Sequence, residues 1–314
     1  MTERPLQLPA KQAQLSSKLV RDLREKAIEF VLFLAALSSV GVTFAIIAIL
    51  IEESFLFFQK VSIVEFLTST TWSPLIADVD GKFSYGILPL ISGTLVTTVV
   101  ALLLAVPLGT IAAIYLSEFA KPRVREVVKP ALELLAGIPT VVYGYFAFLF
   151  VTPLLQKVYP DLPGFNMLSA GLVIGVMIIP YVSSLSEDAM RAVPVHLREG
   201  SYAMGATRLQ TALRVVLPAA ISGISAAYIL GISRAVGETM VVAIAAGGQP
   251  NLTWNPTEPA QTITAYIVAV SLGDLPYGSL EYETIFAAGL TLVLMTLVFN
   301  IGGHFLRKRY REIY

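Results

Sequence analysis

The chain has 314 residues, 55% of them apolar and 14% charged, with a formal net charge of zero and a mean hydropathy of +0.73. Soluble domains carry about 25% charged residues, so this composition excludes an ordinary soluble domain and leaves room for one membrane domain of roughly five to seven spans. There is no cysteine, which excludes disulfides and thiolate metal sites.

Residues 1–26 are polar and carry six Lys/Arg: Arg4, Lys11, Lys18, Arg21, Arg24 and Lys26. This stretch is too long and polar to open a cleaved signal peptide, so it reads as an N-terminal tail before a true span. Six apolar runs follow, at about 27–51, 88–117, 131–155, 168–186, 215–246 and 284–306. Lipid cannot satisfy an exposed backbone, so each run is predicted to be a helix. The fold class is therefore all-α: a polytopic membrane protein with six transmembrane helices in a domain over 27–306, and a short tail over 307–314.

Orientation follows from Lys/Arg in the connections. The 52–87 connection has Lys60 and Lys82, the 118–130 connection has four, and 156–167 has Lys157. The 187–214 connection has four, 247–283 has none, and the C-terminal tail has Arg307, Lys308, Arg309 and Arg311. The tails and the even-numbered connections hold eighteen, and the odd ones hold three. Both termini and the 187–214 loop are thus expected in the cytoplasm, with 52–87 and 247–283 as outer loops. Basic residues spread over membrane flanks give no footprint for nucleic acid.

Several features within the runs have two readings. Pro107, Pro139 and Pro153 either kink helices or serve packing alone. Tyr143 and Tyr145 either line a pathway or pack. Gly171 and Gly175 form a small-xxx-small pattern suited to close helix packing. His196 and His304 have no metal-ligand partner at useful spacing. The 247–283 loop, with Trp254, Glu258, Asp274, Glu281 and Glu283, is either a docking face or a solvated loop.

The fifth run carries SRAVGETM, Ser233 to Met240. Counted from Pro218 along a straight helix, Arg234 lies about 24 Å on, in the outer half of the hydrocarbon region. Arg234 and Glu238 stand at i, i+4 and share a face. A charge inside a span costs roughly 3 kcal/mol and usually marks a pathway. A guanidinium fork suits a tetrahedral oxyanion. The other reading is a self-neutralised pair with Arg234 snorkelling outward. Gly231 and Gly237 flank the pair and permit close packing or unwinding.

The segment EGSYAMGATRLQTALRVVLP, Glu199 to Pro218, is polar, basic and Gly-punctuated between two apolar runs. It resembles the signature loop of ABC-importer permeases, EAA-x3-G-x9-I-x-LP. Glu199, Gly205, Leu217 and Pro218 match at that spacing; Gly200 and Ser201 replace the alanines and Val215 the isoleucine. The resemblance implies a short surface helix that couples to an ATPase. Tyr202, Met204 and Leu209 would fill a partner's groove, with Glu199 and Arg208 pairing at its rim. Independently, the Lys/Arg pattern puts this loop on the cytoplasmic side. The alternative is an amphipathic helix resting in headgroups. No G-x-x-x-x-G-K-[ST] occurs, so the chain is not expected to be an enzyme, and ATP belongs to a separate subunit.

SRAVGETM, GIPTVVYGYFAF (from Gly137), GILPLISGTLVTT (from Gly86) and AVPLGTIAAIYLSEFA (from Ala105) resemble the permease subunits of the bacterial high-affinity phosphate importer. The likeness runs from about residue 27 to the end. GETM and the 52–87 loop with Trp72-Ser73-Pro74 look more like the C-type subunit than the A-type. The resemblance implies a type I importer fold in the bacterial inner membrane, no cofactor on this chain, and a second related permease. It further implies two ATP-binding cassette subunits and a periplasmic or extracellular phosphate-binding protein. Arg234 and Glu238 are carried over as the anion path; Glu199, Gly205, Leu217 and Pro218 as the coupling loop. A permease for another small oxyanion and a passive anion channel are the alternatives. An intramembrane protease is disfavoured, since no H-E-x-x-H or paired intramembrane Asp occurs.

The orientation is open to cysteine scanning, because the chain has no native cysteine. An impermeant thiol reagent applied outside should label Asp78→Cys and Glu258→Cys and miss Arg123→Cys and Gly205→Cys. External labelling at 205 would reverse the topology.

Overall fold

The computed structural model describes the backbone of residues 10–76 and 81–309, and side chains from 21 to 76 and 81 to 305. The expected tail residues 1–9 and 310–314 lie outside the described residues, as do the side chains of Arg307, Lys308 and Arg309. Four helices are long and apolar enough to cross a membrane, and two bent pairs bring the total to as many as six. The chain divides into two units, residues 1–52 and 53–314.

The first span belongs to α1 (Ala10–Lys60). Its apolar side chains, among them Phe30, Phe33, Leu37 and Phe44, are exposed. The helix does not stop near residue 51 as the sequence suggests; it runs on to Lys60.

Among the described residues, the expected outer loop of 52–87 contains a packed cap. It holds the last turns of α1, α2 (Ile63–Thr68) and a two-stranded antiparallel hairpin of β1 (Trp72–Ser73) and β2 (Ser84–Tyr85), with Trp72 opposite Tyr85. Phe57, Phe66, Trp72 and Tyr85 are buried there as a chain of edge-to-face rings. Lys60 Nζ meets Glu283 Oε1 at 2.6 Å, which joins the end of α1 to the start of the last helix.

The second span is α3 (Leu88–Ile114), continued by a π-helical turn over Tyr115–Phe119. Pro107 sits inside it without ending it. The third run is shorter as a span than predicted. Residues 131–136 belong to α4 (Pro122–Ala136), an amphipathic helix. After Gly137-Ile138-Pro139 the chain turns by 87° into α5 (Thr140–Phe146), which continues through a π-helical turn over Ala147–Val151 into α6 (Thr152–Gln156). Pro139 is the N-cap of α5, and Pro153 directly follows the π-helical turn, at the start of α6. Tyr143 is buried and donates to the Leu135 carbonyl at 2.8 Å across this elbow, a packing role; Tyr145 is exposed.

The fourth span, α7 (Met167–Arg191), is capped by Asn166, whose side chain accepts from Ser169 N at 2.7 Å. It packs closely on α3. A Cβ on Gly171 would lie 2.7 Å from Val100, and one on Gly175 would lie 2.8 Å from the Ala101 carbonyl. The small-xxx-small pattern therefore works as the sequence suggests.

After α7 come α8 (Val195–Ala203), α9 (Arg208–Thr211), a π-helical turn over Ala212–Val216 and α10 (Leu217–Ala219). The chain then bends by 73° at Ala220 into α11 (Ile221–Val236). The predicted single helix over 215–246 is thus broken twice, once at Ala220 and again at residues 237–239. Beyond the second break lies α12 (Met240–Ala245).

The 247–283 stretch is neither a free docking loop nor a solvated one throughout. Ala260 N donates back to Ala246 O at 3.1 Å, and Met167 N donates to Glu258 O at 3.2 Å. It then forms α13 (Ile263–Ser271), whose Ile263, Ala265, Tyr266 and Val270 are buried. Trp254, Leu272 and Tyr277 remain exposed. Thr253 and Asn255 hydrogen-bond the exposed Glu258 side chain and hold its carboxyl below the usual carboxylate range. The last span is α14 (Leu280–Arg309).

The α3–α7 contact can be tested by adding one methyl group. Gly175→Ala overpacks the seam and should cost about 1–3 kcal/mol, read as a lower thermal midpoint of the purified protein. Gly164→Ala, where a Cβ meets nothing within 4 Å, is the matched control. Equal midpoints for the two would show that the seam yields freely.

Candidate functional site

Two places carry the residues singled out from the sequence. The first is the loop joining α7 to α11. It forms the short helix α8 that the spacing suggests, followed by a turn. α8 ends in a Schellman arrangement: Gly205 N donates to Tyr202 O at 2.9 Å and Ala206 N to Ser201 O at 3.2 Å. Gly205 has φ +81° and open space around its missing Cβ. It is required for its backbone conformation rather than for room. Thr207 then starts α9 with a capping box closed by Gln210.

The tip of this loop is apolar and uncovered. Met204 is 88% exposed, Leu209 55% and Tyr202 42%. Three large apolar groups exposed within eight residues can insert into a partner's groove or rest in lipid headgroups. Glu199 and Arg208 are exposed, and neither makes an ion pair within the described residues. Leu217 packs on the apolar junction of Ala113, Met190, Val193, Val216, Ala220 and Ile224. Pro218 stands in the first turn of α10, just before the bend at Ala220. The loop thus splits into an exposed apolar tip and a root that packs through Leu217 on that junction, with Pro218 exposed.

The second place is the break between α11 and α12. Arg234 lies in the last turn of α11, and Glu238 lies just before α12. Their side chains meet, Nη1 to Oε2, at 3.0 Å. Glu238 is 1% exposed on its side chain and Arg234 37%. The carboxylate is therefore sealed in the protein, and the guanidinium opens onto a surface of the chain. Because α11 starts at Ile221, Arg234 is about 20 Å along this segment at ~1.5 Å per residue, rather than the 24 Å of an unbroken helix.

Glu238 has a task that the sequence did not show. Its Oε1 accepts from Met240 N at 3.2 Å and Val241 N at 3.3 Å. It caps the first turn of α12, and its backbone carbonyl accepts from the Thr264 hydroxyl at 2.6 Å. Arg234 at a helix C-terminus and Glu238 at a helix N-terminus each complement the local dipole. This lowers the cost of keeping two charges inside a span. Beyond Glu238, the guanidinium has one recorded neighbour among the described residues, Met177 Sδ, 4.0 Å from Nη2. The arrangement can offer N–H donors to an anion without carrying net charge itself.

Sequence reasoning missed two buried carboxylates at the loop end of the bundle. Glu187 of α7 is fully buried and meets Arg125 Nε at 2.7 Å, Lys129 Nζ at 3.0 Å and Arg191 Nε at 3.8 Å. Glu118, in the π-helical turn after α3, pairs with Arg198. Only the i, i+4 spacing of Glu187 and Arg191 was visible beforehand. Among the described residues no group of three His, Asp or Glu could hold a metal ion.

Residues 105–312 match the family described as binding-protein-dependent transport system inner membrane component. The chain is 40% identical over 257 residues to the probable ABC transporter permease protein YqgH of Bacillus subtilis, covering 82% of this chain and 81% of that one. It is 35% identical over 271 residues to the phosphate transport system permease protein PstC of Xylella fastidiosa, covering 79% and 81%. Its fold is similar to a chain in the crystal structure of a bacterial ABC transporter involved in the import of alginate. That match has a TM-score of 0.63 and 18% identity, covering 94% of this chain and 100% of the other.

The turn at Gly205 yields a graded prediction. ATP-driven uptake, at equal membrane levels, should fall in the order Gly205, Gly205→Asn, Gly205→Ala, Gly205→Val. Asn tolerates a left-handed backbone, and a β-branched residue resists it most. Wild-type uptake with Gly205→Val would remove the conformational requirement.

Proposed function

The chain belongs to the family of binding-protein-dependent transport system inner membrane components, and we propose that within it this protein is the C-type permease of an ATP-driven importer of inorganic phosphate. The observation that carries the reading is the Arg234–Glu238 pair, set at a helix break inside a span and open on the arginine side. It occurs in a chain 35% identical to a protein named as a phosphate transport permease.

The chemistry runs as follows. An unpaired guanidinium in a span costs several kcal/mol, and an unpaired one would also hold an oxyanion too firmly to release it. Glu238 answers both problems by neutralising Arg234. Phosphate approaching the exposed side of the guanidinium would gain charge-assisted hydrogen bonds from N–H groups that Glu238 leaves open. It would lose them as readily when the surface closes, since the pair re-forms without net charge. Another small oxyanion would use the same donors, and the named relatives favour phosphate.

The permease does not hydrolyse ATP, which is the work of separate subunits. Two ATP-binding cassette subunits would meet the transporter, one of them at the exposed tip of Tyr202, Met204 and Leu209. A second, related permease would complete the pathway on the face where Arg234 is open. A phosphate-binding protein would deliver substrate at the opposite end of the bundle. The chain would lie in the bacterial inner membrane with both termini cytoplasmic. A passive channel would leave that exposed apolar tip without a purpose.

Arg234→Lys keeps the charge and loses the fork, and should lower phosphate uptake at least about tenfold. The double variant Arg234→Gln with Glu238→Gln removes both charges, and Gln can still accept the two N–H groups that cap α12. It should also transport poorly. Near wild-type phosphate uptake by that double variant, at verified membrane levels, would make the pair structural.

A further inference from the structure

The exposed tip explains how the loop is recognised, and leaves open how motion at the tip reaches the spans. The geometry points to Arg198 as the residue that makes this link, by holding α8 to the end of α3 through a buried ion pair with Glu118. Arg198 precedes the matched glutamate of the signature loop and forms no part of its pattern.

Arg198 makes four hydrogen bonds, each to a different atom. Nε donates to Glu118 Oε2 at 3.3 Å, and Nη2 donates to Glu118 Oε1 at 3.0 Å. Nη1 donates to the Val193 carbonyl at 2.6 Å, and Nη2 also donates to the Met190 carbonyl at 2.8 Å. The side chains of Arg198 and Glu118 are 15% and 5% exposed. Ser117 Oγ donates to Glu118 Oε1 at 2.8 Å and fixes the carboxylate from its own side. One guanidinium therefore binds three segments together: α8, the last turn of α7, and the π-helical turn that ends α3.

Other contacts make this joint stiff. Leu197 packs with Ala113, Met190, Val193 and Val216 in one apolar junction. Ser201 and Thr211 join the two limbs of the loop, hydroxyl to hydroxyl, at 2.9 Å, and Thr211 is fully buried. Beyond the joint the spans are already meshed. α7 lies against α3 at Gly175, and a Cβ on Gly231 of α11 would lie 3.3 Å from Ile178 and Val182 of α7. A displacement imposed on the tip is thus passed to α3 and α7, and through α7 to the helix that carries Arg234. The turn that ends α3 at this contact is π-helical, a form frequent at functional sites.

Without the Arg198–Glu118 pair, the tip would still bind its partner and ATP would still be hydrolysed. The movement would be absorbed by the loop. Arg198 is in this sense a positioning residue: it touches neither substrate nor the expected docking groove. The inference rests on the coupling role of the loop proposed above, and does not depend on which anion is carried.

The test uses the whole transporter, reconstituted with its ATPase and second permease in liposomes, with phosphate uptake and ATP hydrolysis measured together. Wild-type uptake reads the phosphate assignment by itself. The ratio of phosphate taken up to ATP hydrolysed, relative to wild type, reads the link. Arg198→Ala should hydrolyse ATP and lower that ratio about tenfold or more. Glu118→Gln, which keeps its shape and one acceptor, should lower it less. Arg198→Lys, which keeps the charge and can still donate to Glu118 or to the Val193 and Met190 carbonyls, should also lower it less. A wild-type ratio in Arg198→Ala overturns the inference. Where Arg198→Ala does not assemble, a wild-type ratio in Glu118→Gln overturns it instead.

Discussion

The seam between α3 and α7 is the contact on which the rest of the membrane domain depends. Two glycines a turn apart on α7 let the backbones approach to a distance that no other side chain allows. Water offers no hydrophobic drive inside a bilayer, so close van der Waals contact is what holds such helices together. With α3 and α7 fixed, α11 packs on α7, and α13 docks near the start of α3, where Ile263 N donates to Thr94 Oγ1 at 3.1 Å. One functional place joins the end of α7 at Met190, and the other lies beside Met177, midway along the same helix.

At one end the chain tolerates charge by pairing every buried carboxylate with guanidinium or ammonium groups. Glu187 takes three basic partners and Glu118 takes Arg198. A carboxylate in low dielectric without such partners would be severely destabilising. This also qualifies the basic residues that orient the chain. Arg125 and Lys129 count toward the basic excess from which a cytoplasmic side is expected, and they also hold α4 against the end of α7. One pair of side chains thus serves insertion and packing together.

Beside the middle of α7 the chain uses helix termini. The break at Gly237-Glu238-Thr239 places a basic residue at one helix end and an acidic one at the next, each matched to the local dipole. A continuous helix would have left Arg234 and Glu238 as an ordinary surface pair. The break turns Glu238 inward, where it caps α12, and leaves Arg234 turned outward. Irregular backbone at membrane depth persists where protein satisfies it; here Thr264 and the Glu238 carboxylate do so.

The sequence by itself determined the class, the order of the spans and the candidate residues. Mean hydropathy and the apolar runs required helices, because lipid leaves the backbone no other option. Lys/Arg counts gave an orientation, and the fixed spacing from Glu199 to Pro218 marked the loop that the family match later covered. Gly171 and Gly175 were legible as a packing face because their spacing is local. Tertiary structure decided what periodicity cannot encode. The bends at Gly137–Pro139 and Ala220, the burial of α13 within a presumed outer loop, and the ring-packed cap around Trp72 all depend on partners distant in the chain. So do the pairs Glu118–Arg198 and Lys60–Glu283, separated by 80 and 223 positions. A residue's type and its neighbours fix its local conformation and its solvent. Which distant charge or backbone group will neutralise it is settled only when the helices meet.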